Sequence, residues 1–178
     1  ALLSFGFLAV GLALAVRAVH ERAPLTLIGP PRRALAQFLA VAGTVGALQL
    51  ALVTLLPTDL ELIRNDAMPT RLWLALLPLS LVAILVQAGT EEALFRGFLQ
   101  QQLAARFSRG LAWLVVPAAL FGLAHWSPAT AGPNASFYVV WATAFGLVAA
   151  DLTARTGTLG PAIALHVVNN AVAILGTS

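Results

Sequence analysis

The sequence predicts an all-α fold, a single polytopic bundle of six membrane-spanning helices over residues 1–178, on three observations. Hydrophobic residues make up 60% of the chain and charged residues 10%, with a mean hydropathy of +0.89. Soluble domains carry about 25% charged and about 45–50% apolar residues. The charge-free stretches are 1–16, 34–58, 72–90, 110–150 and 156–178, and a bilayer core of roughly 30 Å takes about 20 apolar residues per helix. No strand-period alternation runs through them, which argues against a β-barrel. The same composition argues against a soluble globular protein, a disordered chain and a nucleic-acid-binding module. The basic residues are all Arg, the net charge is only +3 and no basic cluster is long, so the pI of 11.1 marks no nucleic-acid partner. Cysteine is absent, which excludes disulfides, a Cys-ligated metal and a thiol nucleophile.

The first span, about 1–19, has no basic stretch ahead of its apolar run, so it reads as a true span rather than a signal peptide, with further helices before it left open. The second covers about 34–56 and the third about 72–104, the latter carrying charge in its second half. The stretch 110–150 is too long for one span. Its turn cluster, Trp126 to Asn134 with two Pro and a Gly, divides it into spans at about 111–126 and 135–153. The sixth lies at about 159–176. Arg17, Arg22, Arg32 and Arg33 dominate loop 17–33, Arg106 and Arg109 follow span three, and Arg155 follows span five. Loop 57–71 holds Asp59, Glu61 and Asp66 against Arg64 and Arg71, and loop 126–134 holds no charge. Arg bias therefore places loops 17–33, 105–110 and 151–158 in the cytoplasm and both ends of the chain outside.

A few polar residues inside the spans do not serve topology. Span three carries Glu91, Glu92 and Arg96, although a charge at the centre of a membrane helix costs roughly 2.5–3.5 kcal/mol on insertion scales. Successive helical residues point about 100° apart, so Glu91 and Glu92 are expected to face different neighbours. Glu92 and Arg96, four apart in the acid-first order, form an expected internal ion pair, which leaves Glu91 free for chemistry. The competing reading is an interfacial amphipathic helix whose acids sit at its N-terminus. Against it, a long uncharged run leads into Gly89, and apolar sequence follows Arg96.

Phe121 and His125 share one helical face, as do His166 and Asn170 in the sixth span. An interfacial His125, and interhelical hydrogen bonds from His166 and Asn170, are the structural alternatives. Taken together, one carboxylate, two His and an Asn suit acid–base hydrolysis or a metal site. The patterns His-Glu-x-x-His and Gly-x-Ser-x-Gly, a P-loop and a dinucleotide fingerprint are all absent. His20 lies in a charged loop and takes no role. Counting about 1.5 Å per residue, Glu91 and His125 both fall roughly 20 Å from the ends at Arg106 and Leu111. His166 falls only about 10 Å from Leu159, a mismatch in depth.

Glu91-Glu92-x-x-x-Arg96, then Phe121-x-x-x-His125, then His166-x-x-x-Asn170, in order on spans three, four and six, resembles the signature of the CPBP intramembrane proteases. That family includes the CAAX prenyl endopeptidase (the Ras-converting enzyme) and bacterial bacteriocin-processing and abortive-infection proteins. The resemblance covers roughly residues 72–175 and makes that region the expected catalytic core. It implies that Glu91 is the catalytic carboxylate, supported by Glu92 with Arg96, and that Phe121 supports the site. His125 then helps activate water, while His166 and Asn170 complete the site and stabilise the oxyanion. The family commonly has about eight helices against the six counted here, which leaves open whether the sequence holds all of them.

The expected activity is endopeptidase cleavage of a membrane-embedded or lipidated peptide, prenylated or bacteriocin-like, in a bacterial cytoplasmic membrane. If a metal takes part, Glu91, His125 and His166 are its expected ligands and Zn²⁺ suits them. A metal-free glutamate mechanism is preferred, because Asn170 is an unusual zinc ligand and a good oxyanion donor. Two other classes stay open. Buried Glu and His also mark transporters and proton relays, and the motifs could simply hold helices together in a bacteriocin-immunity protein.

Overall fold

The computed structural model describes residues 2–55 and 69–175, and among them every regular element is helical. Nearly all of the acidic loop 57–71, with Asp59, Glu61, Arg64 and Asp66, lies outside the described residues, as do the outer ends of the second and sixth spans. A 3₁₀ turn (Leu2–Ser4) leads into α1 (Phe5–Val19), and another 3₁₀ turn (Pro24–Leu27) precedes α2 (Pro31–Leu55). Helix α3 (Thr70–Glu92) runs unbroken through a π-helical stretch (Ala93–Gln100) into α4 (Gln101–Arg106). There follow α5 (Gly110–Ala124), the short α6 (Pro128–Ala131), α7 (Ala135–Thr156) and α8 (Gly160–Leu175).

Six helical segments thus stand where the charge gaps place them, and the protein is an integral membrane helical bundle. Four segments are long and apolar enough to cross a bilayer: Leu2–Val19, Pro31–Leu52, Thr70–Arg106 and Pro128–Thr156. The other two, α5 and α8, are apolar but have 15 and 16 residues, so each is about 23 Å long against a core of roughly 30 Å.

The packing is that of a membrane bundle. Large apolar side chains such as Phe7, Leu39, Leu74, Leu123, Phe137 and Val140 face outward, whereas the buried positions are rich in Ala: Ala83, Ala88, Ala118, Ala149, Ala150, Ala162 and Ala164. Lipid tails solvate Leu as well as another helix does, so close backbone approach between small residues holds such helices together. A Cβ placed on Gly146 of α7 meets Ala118 Cα of α5 at 3.0 Å, and one on Gly122 of α5 collides with Thr143 of α7.

The start of α8 is set by the chain before it. Gly157 closes α7 in the left-handed region, φ 71°, where glycine is the natural residue. The next residues then enter the bundle. Thr158 Oγ1 donates to Gln37 of α2, and the Leu159 N–H donates to the Ile28 carbonyl at 3.0 Å. Leu159 is fully buried, and a Cβ on Gly97 meets its Cδ1 at 3.1 Å.

This register removes the mismatch in depth. Leu159 stands level with Gly97, not with Arg106. From Gly97 back to Glu91 is about 9 Å along the π-helical stretch and the end of α3, and from Leu159 to His166 about 10 Å. Counting depth from Leu159 as if it were a membrane end was the error.

The α2–α8 approach depends on Gly160, whose added Cβ runs into the backbone carbonyl of Ala34. A backbone atom cannot swing aside, so Gly160→Ala should cost about 1–3 kcal/mol, the usual range for overpacking. Thermal unfolding in detergent should show a lower midpoint for Gly160→Ala. It should show none for Gly43→Ala, where nothing lies within 4 Å.

Candidate active site

The buried face of α3 and its π-helical extension carries Ile84, Gln87, Ala88, Thr90, Glu91, Glu92, Arg96 and Gln100. Six of these side chains are polar, and burying polar groups in an apolar helix is costly unless they find partners. Glu92 and Arg96, both 0% exposed, pair at 3.0 Å through Glu92 Oε1 and Arg96 Nη1. Glu92 Oε1 also accepts from His166 Nδ1 of α8 at 2.8 Å. The expected ion pair is therefore present, with His166 as a third member.

With its Nδ1–H given to Glu92, His166 turns Nε2 toward Glu91 Oε2, 3.7 Å away. That distance exceeds a hydrogen bond. Glu91 Oε2 is buried and has no other protein partner. The expectation that the two adjacent acids face different neighbours is corrected here, because both face one imidazole ring, Glu92 bonded to its Nδ1 and Glu91 3.7 Å from its Nε2. The helix phase of about 100° is sound, but it describes Cβ directions. A long carboxylate side chain on each side of a five-membered ring reconverges on it. The π-helical widening that begins at Ala93 changes the turn on which Arg96 sits.

His125 ends α5 as its C-cap, and its Nδ1–H donates to the Phe121 carbonyl at 2.8 Å. A backbone carbonyl takes no other tautomer, so this bond leaves Nε2 free as an acceptor. Phe121 lies at the centre. Its ring centroid is 4.6 Å from that of His125 and 5.7 Å from that of His166, and the Arg96 guanidinium carbon sits 4.5 Å over it. Asn170 donates from Nδ2 to Gln87 Oε1 at 2.8 Å. Gln87, one turn before Glu91, has no place in the sequence reading. Its signal was available: a lone amide in an apolar run, four residues from Glu91.

Two cavities meet at Phe121 and His125. One, of about 400 Å³, is lined by Glu91 and His125 with Phe5, Leu8, Leu94 and Phe95. The other, of about 260 Å³, is lined by His125, His166, Asn169 and Asn170 with Tyr138 and Trp141. Glu91, His125, His166 and Asn170 therefore border this junction directly, and Glu92 reaches it through His166. Among the described residues no three His, Cys, Asp or Glu are gathered closely enough to hold an ion. Both His Nδ1 atoms are already engaged, one by Phe121 and one by Glu92.

A family model described as type II CAAX prenyl endopeptidase Rce1-like matches residues 73–172. The chain is also 30% identical over 169 residues to the uncharacterized protein YyaK of Bacillus subtilis (strain 168), across 90% of this chain and 54% of that protein. It thus spans about half the length of the curated relative it matches. No solved structure matches the chain.

Proposed function

Because this chain belongs to the type II CAAX prenyl endopeptidase Rce1-like family, we propose that it is an intramembrane endopeptidase whose nucleophile is a water activated by Glu91 and His125. The observation that carries this reading is that Glu91 and His125 line one cavity, while His166 and Asn170 border the adjoining one across His125 and Phe121. The substrate is a membrane-embedded or lipidated peptide. The site of action is the bacterial cytoplasmic membrane.

The water sits between Glu91 and the free Nε2 of His125. Glu91 takes its proton as the oxygen attacks the scissile carbonyl carbon. The negative charge that develops on the carbonyl oxygen is met from the other cavity by Asn170 Nδ2 and, when His166 carries a proton on both ring nitrogens, by its Nε2–H; each such donor is worth about 2.7–4 kcal/mol in enzymes where one has been removed. The proton held by Glu91 passes to the departing amine as the carbon–nitrogen bond breaks. Glu92 and Arg96 touch no reacting atom; they fix the His166 ring through Nδ1. This is the metal-free reading: the steps use Glu91, His125, His166 and Asn170 as base and donors and route nothing through a metal.

Cells carrying the wild-type protein should differ from cells carrying Glu91→Ala by the accumulation of uncut membrane peptides, read by quantitative proteomics of the membrane fraction. Identical peptide profiles would contradict the reading.

A further inference from the structure

Two polar rungs join α3 to α8. Glu92 Oε1 accepts from His166 Nδ1 at 2.8 Å, and Gln87 Oε1 accepts from Asn170 Nδ2 at 2.8 Å. From Glu92 back to Gln87 is about 7.5 Å along α3, and from His166 on to Asn170 about 6 Å along α8. The rungs are therefore successive in one antiparallel pairing. The first orients the His166 ring. Gln87, in the second, lines neither cavity at Phe121 and touches no reacting group.

Gln87 is 6% exposed, between Ile84 and Ala88, both 0% exposed. A buried amide without a hydrogen bond is costly, and in membrane bundles such an amide commonly just ties two helices together. Here the group it ties is Asn170, whose side chain lines the cavity shared with His125 and His166. An Asn amide needs holding. Its terminal torsion is broad and roughly two-fold, so a free Asn170 would present its oxygen to the substrate about as readily as its NH₂ group. Only the NH₂ end can meet a developing negative charge; the oxygen would repel it. A carbonyl oxygen only accepts, so Gln87 Oε1 takes the NH₂ end. Asn170 Oδ1 is thereby turned to Asn169 Nδ2, which donates to it at 3.4 Å. Nδ2 carries two hydrogens; Gln87 takes one and leaves the second for the cavity.

We propose that Gln87 is a positioning residue, which fixes the Asn170 amide with its NH₂ end toward the scissile carbonyl. The helix that carries the base Glu91 thus also sets the oxyanion donor on α8. The effect on turnover rests on the hydrolytic reading above; the hold on Asn170 does not.

The test is a double-mutant cycle in the full chain in nanodiscs, with Gln87→Met, Asn170→Ala and the two combined. Met keeps the length of the side chain and removes the acceptor. The probe is a synthetic copy of a membrane peptide that accumulates uncut in cells carrying Glu91→Ala. Gln87→Met should lower kcat by about ten- to a hundredfold, the cost of a misplaced group. KM should stay within about twofold, because the contact with the oxyanion is made only in the transition state. In the Asn170→Ala background, Gln87→Met should change kcat by less than about twofold, since no amide is left to orient. Full kcat in Gln87→Met, or a further fall of the same size beside Asn170→Ala, overturns the proposal and leaves Gln87 a tie between helices.

Thermal midpoints of the same four proteins read the hold on Asn170 without activity. Both single variants break one and the same bond, so the combined variant should lose less than the sum of the two. An additive loss overturns the hold. If wild type cuts no peptide at all, it is the hydrolytic reading that fails, and the midpoints still decide whether Gln87 holds Asn170.

Discussion

Glu91→Gln is expected to lower kcat for peptide cleavage by about 10²–10⁴-fold, the contribution of a positioned general base, while the protein stays folded. The two halves of that expectation have separate grounds. Gln keeps the shape of Glu but cannot take the proton from water. Glu91 Oε2 has no hydrogen-bond partner in the protein, so no bond is broken by removing its charge. A buried carboxylate oxygen without a hydrogen bond is costly, and the thermal midpoint of Glu91→Gln should stay level or rise. Initial rates on a cleaved membrane peptide, beside a melting curve in the same detergent, check both. A fall in rate that merely tracks a fall in stability would place Glu91 among structural groups.

Arg96→Met is expected to give the largest loss of stability of any single change at the site, about 3–5 kcal/mol, the range for removing one partner of a buried ion pair. Glu92 and Arg96 are both fully buried, so Glu92 would keep a charge with no counter-ion and only His166 as donor. Arg96→Lys should restore little. An ammonium lacks the planar fork and the stacking surface that lies 4.5 Å over Phe121. The double variant Glu92→Gln with Arg96→Met should regain part of the lost stability, because neither charge is then left unpaired. It should not regain activity, since His166 loses the carboxylate that orients its ring. Chemical or thermal unfolding of the three variants in one detergent checks the order.

The bundle itself was legible in the sequence because burial in lipid and charge placement are properties of single residues. Gaps between Arg, Asp and Glu locate α1, α2, α3, α5, α7 and α8 to within a few residues. The three site motifs were legible for the same reason: Glu91, Glu92, Arg96, His125, His166 and Asn170 are misplaced by the rules of membrane composition. What could not be read is how far each helix is shifted along its neighbours. That offset is fixed by contacts between distant segments, Gly160 on Ala34, Leu159 on Gly97 and the Leu159 N–H on Ile28, and no periodicity records it. The meeting of Glu91 and Glu92 on one His166 ring follows from the same offset. Gln87 and Gln100 were passed over because a lone amide carries no charge to draw notice, although burial makes an amide nearly as demanding of partners.

The central claim is that this protein, by itself, adds water across a peptide bond through Glu91. The most direct measurement is mass spectrometry of products formed by purified protein in nanodiscs, in ¹⁸O-labelled water, with a metal chelator present and no ion gradient possible. The expected result is a pair of fragments from a lipidated or membrane-spanning peptide, the newly formed carboxyl carrying one ¹⁸O, and neither fragment with Glu91→Gln. Fragments produced equally by Glu91→Gln, or cleavage lost on chelation and restored by zinc, would contradict it.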